Sequence, residues 1–451
     1  MDFEKTLHQL CDSEIGSGLK ALGSELDAEW VQAALERTGT CTIRRRKLPA
    51  EQVVWLVIGM ALLRDHSIEG VVKRLDLVCN DGTEKRSSVV GGAIPKARRR
   101  VGEAPLRELF RSTGHRWGHE VAAEAPWHGL SVYAMDGSSL SVPDTEENRE
   151  AFVLPKTGRG QSGYPKVRLV ALMNTRGHVV VDAELGAFHG KGTNEMQLAH
   201  SLWAKVPNNS LLMVDRGFLH YERFWRIQTT GEERHWLVRM KSNLQFQVTK
   251  EQGKGDYLAT VPIPPRVRAK HQDLPREMPV RILHYRAEGC EPQRLMTSLL
   301  DAESWPADDV INMYHERWEI ELGYRELKTH MLERKESLRS KTPDGIRQEL
   351  WGILIAYNLI RRRMAYAAAR IGEVPNRMSF RYSMMLIRAF CIATAWTDSL
   401  GTIPRHLAQL DEELEEALLP ARRSDRNYPR WVKVKMSHYK RNPGRLDNGL
   451  S

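Results

Sequence analysis

LSVYAMDG (130–137) and SLLMVDRG (210–217) are the two stretches that decide the fold class. Each is a short apolar run that closes on an aspartate with glycine soon after, which is typical of a strand and its turn. Two similar runs, KVRLVALMN (166–174) and HVVVDAEL (178–185), lie between them. The segment 192–206 has apolar residues at helical spacing, with Asn194 placed to cap against Gln197. Strands joined through such a crossover helix predict a mixed α/β sheet.

The chain around this sheet divides into three predicted domains. Residues 1–120 have helical periodicity, residues 121–365 contain the α/β pattern with a β-rich insertion at about 230–300, and residues 366–451 are helical and then basic. In the first domain, a helix, a polar break and an arginine-rich helix favour a helix-turn-helix and a plain helical bundle almost equally. Pro95 fits the first turn of that second helix, and Pro343 after the N-cap Thr342 fits the start of a long later helix.

Composition limits the class of protein. The 451 residues are 41% hydrophobic and carry a net charge of +10, from 67 basic and 57 acidic residues. No apolar run is long enough to span a membrane and the N-terminus has no signal-peptide pattern, so we expect a cytoplasmic protein without a membrane partner. The five cysteines lie far apart without zinc-ligand spacing, which predicts reduced structural thiols.

Three separated basic segments favour a polyanionic partner. They are RRRK (Arg44, Arg45, Arg46, Lys47), KARRR with Arg98, Arg99 and Arg100, and the stretch 422–445. Each phosphate that lysine or arginine neutralises releases counterions, so such segments suit a nucleic acid that crosses a large surface. The alternative is chance clustering that serves solubility.

Three carboxylates are candidates for metal binding. Asp136 and Asp215 each follow an apolar strand, and sites in open α/β sheets form at that edge, although aspartate is also an ordinary turn residue. Glu321 comes from a later polar helix. Carboxylates that cannot neutralise one another attract divalent cations, and Mg²⁺ prefers such oxygen ligands. Two such ions can activate a nucleophile and stabilise the leaving oxygen of a phosphodiester, so the cluster predicts phosphoryl transfer on nucleic acid.

YHERWEIELGYRELK (314–328) supplies the third carboxylate. If the stretch is one helix, Tyr314, Arg317, Glu321 and Lys328 share a narrow stripe. A charged helix face is usually solvated and laced with ion pairs. Beside an Asp/Asp/Glu cluster, however, the phenol, guanidinium and ammonium can bind the phosphates that flank a cut.

The spacing of these four residues resembles the YREK signature of DDE transposases of the insertion-sequence-four family. The stretches RWEIELGYRELK, PDTEEN and DRGF are similar to that family as well, as are GTCTIRRRKLPAEQVVWLVIGMAL and ARRRVG near the N-terminus. The resemblance therefore covers nearly the whole chain. It implies an RNase H-like catalytic core with a β-rich insertion, an N-terminal DNA-binding domain, a helical and basic C-terminal region, and cut-and-paste transposition.

The resemblance also implies residue roles and partners. Asp136, Asp215 and Glu321 would be the catalytic residues and the ligands of two Mg²⁺ ions, for which Mn²⁺ can substitute. Tyr314, Arg317 and Lys328 would contact DNA. The implied partners are double-stranded DNA, at the terminal inverted repeats of the element and at its target, and a second copy in a synaptic dimer at the bacterial nucleoid. The candidates for stacking on a flipped base are Trp225, Trp236 and Trp305.

Two other functions fit the same residues. One is a two-metal nuclease that cuts without strand transfer, and the other is an inactive DNA-binding descendant or a regulator of transposition. A structural DNA-compacting protein fits poorly with so much β-rich core. Joining of donor ends in a cleavage assay separates these possibilities.

Overall fold

The fold is described from a computed structural model. It describes residues 26–41, 48–75, 77, 92–154, 156–157, 160–161, 164–190, 192–286, 291–333, 337–395 and 400–420. Several predicted features lie outside these residues: the basic segments at 44–47 (Arg44, Arg45, Arg46, Lys47) and 422–445, the turn at Glu288 and Gly289, and most of the polar break at 76–91.

The N-terminal part consists of helices α1 (Ala28–Arg37), α2 (Ala50–Leu62), α3 (Ile68–Arg74), α4 (Ala93–Val101) and α5 (Ala104–Glu124). The arginine-rich stretch that the periodicity predicts as one helix is two, because Gly102 takes a φ of 70° after α4. Pro95 is the third residue of α4 and so lies in its first turn, as predicted. Nearly all of α2 is buried, which makes it a core helix.

The α/β part is built on a nine-stranded sheet. Its first strands along the chain are β1 (Ser131–Ser141), β2 (Lys156–Thr157), β3 (Gly160–Gln161), β4 (Lys166–Asn174), β5 (Val180–Ala187), β6 (Ser210–Val214) and β7 (Arg234–Arg239). β2 and β3 form a separate ladder, and the others lie in the order β5-β4-β1-β6-β7. β4 is antiparallel to both neighbours, whereas β1, β6 and β7 are parallel. This arrangement fits the expected RNase H-like core.

Four further strands extend the same sheet beyond β7. They are β8 (Gln247–Gly253), β9 (Asp256–Pro262), β10 (Glu277–Tyr285) and β11 (Gln293–Thr297), all antiparallel, with β11 paired to β7. β10 and β11 form the hairpin that the sequence predicts. β7 lies inside the range predicted for the insertion, yet it pairs in parallel with β6. The added strands therefore begin after β7.

Helices cover both faces of the sheet. Between the strands lie α6 (Glu146–Phe152), α7 (Glu195–Leu198), α8 (Tyr221–Thr229) and α9 (Pro265–Arg268), and after them come α10 (Ala307–His315), α11 (Trp318–Glu326), α12 (Pro343–Arg370), α13 (Phe380–Ala395) and α14 (Ile403–Glu415). The predicted capping box of Asn194 and Gln197 forms, but α7 is one turn long and continues as two 3₁₀ turns. Thr342 caps α12 and Pro343 is its first residue, as predicted.

Alternate residues of the strands enter two different cores, as the period of a strand requires. Ala134 and Met173 pack into the core shared by α2, α5 and α12. Tyr133 and Leu172 pack on the opposite face with Phe224 of α8. The predicted domain boundaries at 120 and 365 fall inside α5 and α12, both of which are continuous. Within the described ranges, no helix is both long and apolar enough for a membrane span.

Candidate active site

Asp136 and Asp215 lie side by side at one edge of the parallel strands. Met135 of β1 is the register partner of Val214 of β6, so the two aspartates follow on neighbouring parallel strands. The Asp136 carboxylate accepts a hydrogen bond from its neighbour's amide, Gly137 N, at 2.8 Å. The Asp215 carboxylate accepts one from Arg216 N at 2.6 Å and caps the 3₁₀ turn that follows. Two carboxylates thus project where parallel pairing stops.

The structure corrects one detail of this prediction. Asp136 does not end its strand, because β1 continues to Ser141 as the antiparallel partner of β4. What ends at Met135 is the pairing with β6. Gly137 is compatible with continued extended backbone, so an aspartate-glycine pair here marks the end of parallel pairing within a longer strand.

The polar stretch 314–328 is not one regular helix. α10 ends at His315, and Glu316 and Arg317 connect it to α11 through the tighter i to i−3 bonds from Arg317 N to Tyr314 O and from Glu319 N to Glu316 O. Beyond α11 the chain forms a π turn, Leu327–Met331, which contains Lys328. The predicted single stripe is therefore wrong in detail.

Arg317 links two of the predicted catalytic carboxylates. Its Nη2 donates to Glu321 Oε1 at 2.9 Å, and its Nη1 lies 3.6 Å from Asp136 Oδ2. The side chain is only 8% exposed, and its Nε and Nη1 have no hydrogen-bond partner among the described residues. A buried guanidinium with unused donors is a site that an anion can satisfy.

Asp136, Glu321 and Lys328 line one cleft of about 480 Å³. Its lining is Asp136, Gly137, Ser138, Glu321, Tyr324, Arg325, Lys328 and Thr329. Tyr324 donates a hydrogen bond from its hydroxyl to the Asp136 carbonyl at 2.7 Å, which ties α11 to β1. Asp215 is placed beside Asp136 by the strand register but is not part of the cleft lining.

The cleft holds charges that their surroundings disfavour. Burial raises the pKa of the Asp136 carboxyl to about 6, with Glu321 and Glu195 acting in the same direction against the Gly137 amide and Arg317. Burial and the nearby Lys166 lower the pKa of the Lys328 ammonium. Carboxylates therefore crowd one part of the cleft and ammonium groups another.

The predicted phosphate contact at Tyr314 is not presented to solvent. Its side chain is buried, and its hydroxyl donates to the Val214 carbonyl at 3.4 Å. Burial raises the pKa of this phenol to about 12. Tyr314 thus joins α10 to the end of β6, immediately before Asp215, and positions the site in this structure.

The predicted DNA contacts on α4 divide into two kinds. Arg98 donates to Gln348 Oε1 at 2.8 Å and to Ser340 Oγ at 3.0 Å, and burial lowers its pKa. Its guanidinium therefore joins α4 to α12 inside the protein, and the prediction that it contacts DNA is wrong for this structure. Arg99 and Arg100 are exposed, although Arg100 also donates to the Leu48 carbonyl at 2.7 Å.

The tryptophans predicted as stacking residues are core or half-buried. Trp236 is fully buried and stacks on Phe224, while Trp305 packs against Trp127 at a centroid distance of 5.3 Å. Trp225 is half-buried against the same core as Trp236. Trp318 was missed as a candidate. It is 58% exposed, with the Arg317 guanidinium 5.3 Å from its ring, and only its position beside Arg317 in the motif could have identified it.

The donor set fits a divalent metal by its chemistry. Asp136, Asp215 and Glu321 supply only carboxylate oxygens, which suit Mg²⁺ or Mn²⁺. Among the described residues, no group of three or more His, Cys, Asp or Glu side chains is close enough to hold a metal ion as placed. Because the Arg317 guanidinium occupies the space between two of the carboxylates, metal binding requires this ion pair to rearrange.

Comparison with known proteins agrees with this geometry. Residues 127–359 match the family described as transposase DDE domain, and residues 17–111 match insertion element 4 transposase N-terminal. The chain is 34% identical to the transposase InsG for insertion sequence element IS4 of Escherichia coli (strain K12), over 93% of each protein. A cryo-EM structure of a piggyBac transposase synaptic complex with hairpin DNA covers 91% of this chain and 87% of that chain at 12% identity, with a TM-score of 0.43 that is too low to carry an argument.

The α/β part is thus a DDE transposase domain, and the protein is an enzyme that cleaves DNA and transfers its strands. The chain belongs to the insertion element 4 family of transposases.

Proposed function

We propose that this transposase performs divalent-metal-dependent cleavage at the ends of its own insertion sequence and joins those ends to target DNA by a cut-and-paste route. The observation that carries the proposal is the meeting of Asp136 and Glu321 around Arg317 in one cleft, with Asp215 on the adjoining parallel strand. No basic residue other than Arg317 is named among the ion-pair partners of these acids, so negative charge exceeds positive charge there.

The proposed metal ligands are Asp136, Asp215 and Glu321. Divalent cations bound to these oxygens supply activation of an attacking water or 3′-hydroxyl and stabilisation of the departing 3′ oxygen. The protein's own contribution is to hold the three carboxylates on two rigid strands and one helix, which keeps their positions fixed relative to the phosphate.

Arg317 and Lys328 are the proposed phosphate-binding residues. The unused Nε and Nη1 donors of Arg317 can donate to an oxygen of the phosphate that is cut, once its pairing with the carboxylates is relieved. An anion placed near Lys328 and Lys166 lessens the repulsion between these ammonium groups. Trp318 offers an exposed ring beside the guanidinium, on which a base or sugar can pack.

The wider proposal concerns partners. The exposed Arg99 and Arg100, together with the predicted basic segments at 44–47 and 422–445, support binding of double-stranded DNA at inverted repeats and target. Family resemblance supports a homodimer that pairs two element ends, with two Mg²⁺ ions per site, at the nucleoid. The helical N-terminal region is the proposed DNA-binding part, and 121–365 the catalytic part.

Cleavage and strand transfer of DNA that carries the element's own ends, with Mg²⁺, test the proposal. Glu321→Gln keeps the size of the side chain and removes its charge, so we expect the cleavage rate to fall to below about 1% of the unaltered rate while DNA binding persists. Glu303→Gln, in an exposed turn, is the matched control and should leave both unchanged.

The same assay separates the rival functions. Metal-dependent nicking without joined products would indicate a nuclease. Binding without cleavage by the unaltered chain would indicate an inactive descendant or a regulator. Full activity of Glu321→Gln would refute the assigned role of Glu321.

A further inference from the structure

Glu195, the first residue of α7, lies against Gly137 beside Asp136. A Cβ atom built at Gly137 would lie 2.6 Å from both Cγ and Cδ of Glu195 and 2.7 Å from its Oε1. The space that the missing side chain leaves is thus filled by a carboxylate. Glu195 is also close enough to act on Asp136, whose pKa it raises, and on the hydroxyl of Tyr324 in the cleft lining.

Local structure holds Glu195 in this position. The capping box of Asn194 and Gln197 fixes the start of α7 directly after the loop that follows β5. Arg168 of β4 donates to the Thr193 carbonyl at 2.9 Å, which anchors that loop to the sheet. The same guanidinium lies 3.9 Å from the Glu195 carboxylate. Glu195 therefore reaches the cleft from a strand and a loop that carry none of the other three acids.

An independent feature indicates that this acidic site takes a ligand. Arg317 is more than nine-tenths buried between Asp136 and Glu321, and its Nε and Nη1 have no hydrogen-bond partner among the described residues. Four carboxylates with one partly unused guanidinium suit the combined binding of cations and a phosphate. The charge of Glu195 adds to the part of the cleft where Asp136 would bind a cation.

We propose that Glu195 is a fourth acidic residue of the catalytic centre, whose carboxylate helps to hold the divalent cation at Asp136. This rests on the proposed function, because it assumes that Asp136 binds a cation. Removing its charge should weaken cation binding without affecting the fold, since the side chain is 46% exposed and its ion pair with Arg168 is long.

The test is Mn²⁺ binding to the full-length chain, measured by calorimetry or by the electron paramagnetic resonance of free Mn²⁺. In Glu195→Gln we expect the dissociation constant for Mn²⁺ to rise about tenfold, as for the loss of a partner around a metal site. The Mg²⁺ concentration for half-maximal cleavage should rise in parallel. Glu251→Gln, on the exposed face of β8, is the matched control and should bind Mn²⁺ as the unaltered chain does.

Gly137→Ala provides a second route to the same result. The new methyl group meets only the flexible end of Glu195, so the carboxylate should move away at little cost to folding. Mn²⁺ binding should weaken as in Glu195→Gln, and the double variant should lose no more than either single one, because both changes remove the same carboxylate. Thermal unfolding in EDTA checks that the variants are folded.

Asp136→Asn separates this inference from the function on which it rests. If Asp136→Asn weakens Mn²⁺ binding but Glu195→Gln and Gly137→Ala do not, Glu195 is not part of the centre and the proposed function stands. If none of the three weakens binding, the metal site itself is misassigned. Additive losses in the double variant would also overturn the inference, since Gly137 and Glu195 would then act separately.

Discussion

At the scale of single residues, Asp136 is held where its charge is disfavoured. Its pKa is raised from 3.8 to about 6, first by burial and then by Glu321 and Glu195. A carboxyl whose folded pKa lies above its unfolded value stabilises the fold relatively more below pH 3.8, and that contribution is lost as the pH rises through 6. The chain thus bears a stability cost above pH 6 at this position, in the absence of metal.

Asp136→Asn should therefore stabilise the metal-free protein at pH 7.5. A shift of about two pKa units corresponds to at most about 3 kcal/mol, and the gain should shrink toward pH 4. Urea denaturation in EDTA at the two pH values measures it, with Asp273→Asn at an exposed loop position as control. Adding Mg²⁺ should stabilise the unaltered chain more than the variant. A variant that is less stable at pH 7.5 would contradict the assigned cost.

Residue patterns in the sequence could predict the positions of Asp136, Asp215 and Glu321, because strand ends and motif spacing are local features. Glu195 could not be predicted, since an acid in the first turn of a helix is ordinary and its contact with Gly137 depends on tertiary packing. Arg98 was misassigned for a related reason. A basic run reads the same whether its guanidinium groups face solvent or, as here, reach into α12.

At the scale of elements, α11 is held from behind by a buried polar network. His178 lies 2.8 Å from Glu319 and 3.5 Å from Glu326, at opposite ends of the helix. Glu326 also pairs with Arg361 and accepts a hydrogen bond from Tyr357 at 2.9 Å. Burial alone would raise the pKa of Glu326, but Arg361 and His178 lower it to about 2. The helix that carries Glu321 is thus fixed to α12.

Arg361→Met should destabilise the protein by about 3–5 kcal/mol at pH 7.5, because Glu326 would remain buried without its main partner. The pKa of Glu326 should then rise, so the loss should be smaller near pH 4.5, where this carboxyl can take up a proton. Urea denaturation at both pH values measures the loss. Arg325→Met, on the exposed face of α11, is the control. A loss that does not depend on pH would show that packing, and not the charge of Glu326, is responsible.

The break between α10 and α11 could not be predicted from local signals. Arg317 keeps helical dihedrals, with φ −54° and ψ −29°, and neither glycine nor proline interrupts the stretch. The break follows from tertiary contacts that direct Tyr314 toward β6 and Arg317 toward Asp136. The caps at Asn194 and Thr342 were predictable, because a capping side chain acts within its own turn.

At the scale of the whole molecule, strand alternation predicts a sheet but does not give its order. Nothing local indicates that β11 pairs with β7 and that the insertion therefore lengthens the same sheet. Composition also favoured separate N-terminal and catalytic domains, whereas the N-terminal helices share a core with α12. Arg64 of the N-terminal part forms a buried ion pair with Glu349 at 2.7 Å. The proposed DNA-binding and catalytic parts are thus rigidly connected.

Gly352 tests this connection. It lies in α12 where α2 crosses, and a Cβ there would be 2.5 Å from Val57 Cγ1 and 3.0 Å from the Val57 carbonyl oxygen. Backbone cannot move aside cheaply, so Gly352→Ala should cost about 1–3 kcal/mol, even though alanine favours the helix by roughly 1 kcal/mol. The cost should appear as faster hydrogen exchange in α2, with the amides of β1 and β6 affected less. Gly401→Ala, which meets no atom within 4 Å, is the control. Unchanged exchange in α2 would mean that the N-terminal helices hold their structure without α12, and a hinge between DNA binding and catalysis would then become the better description.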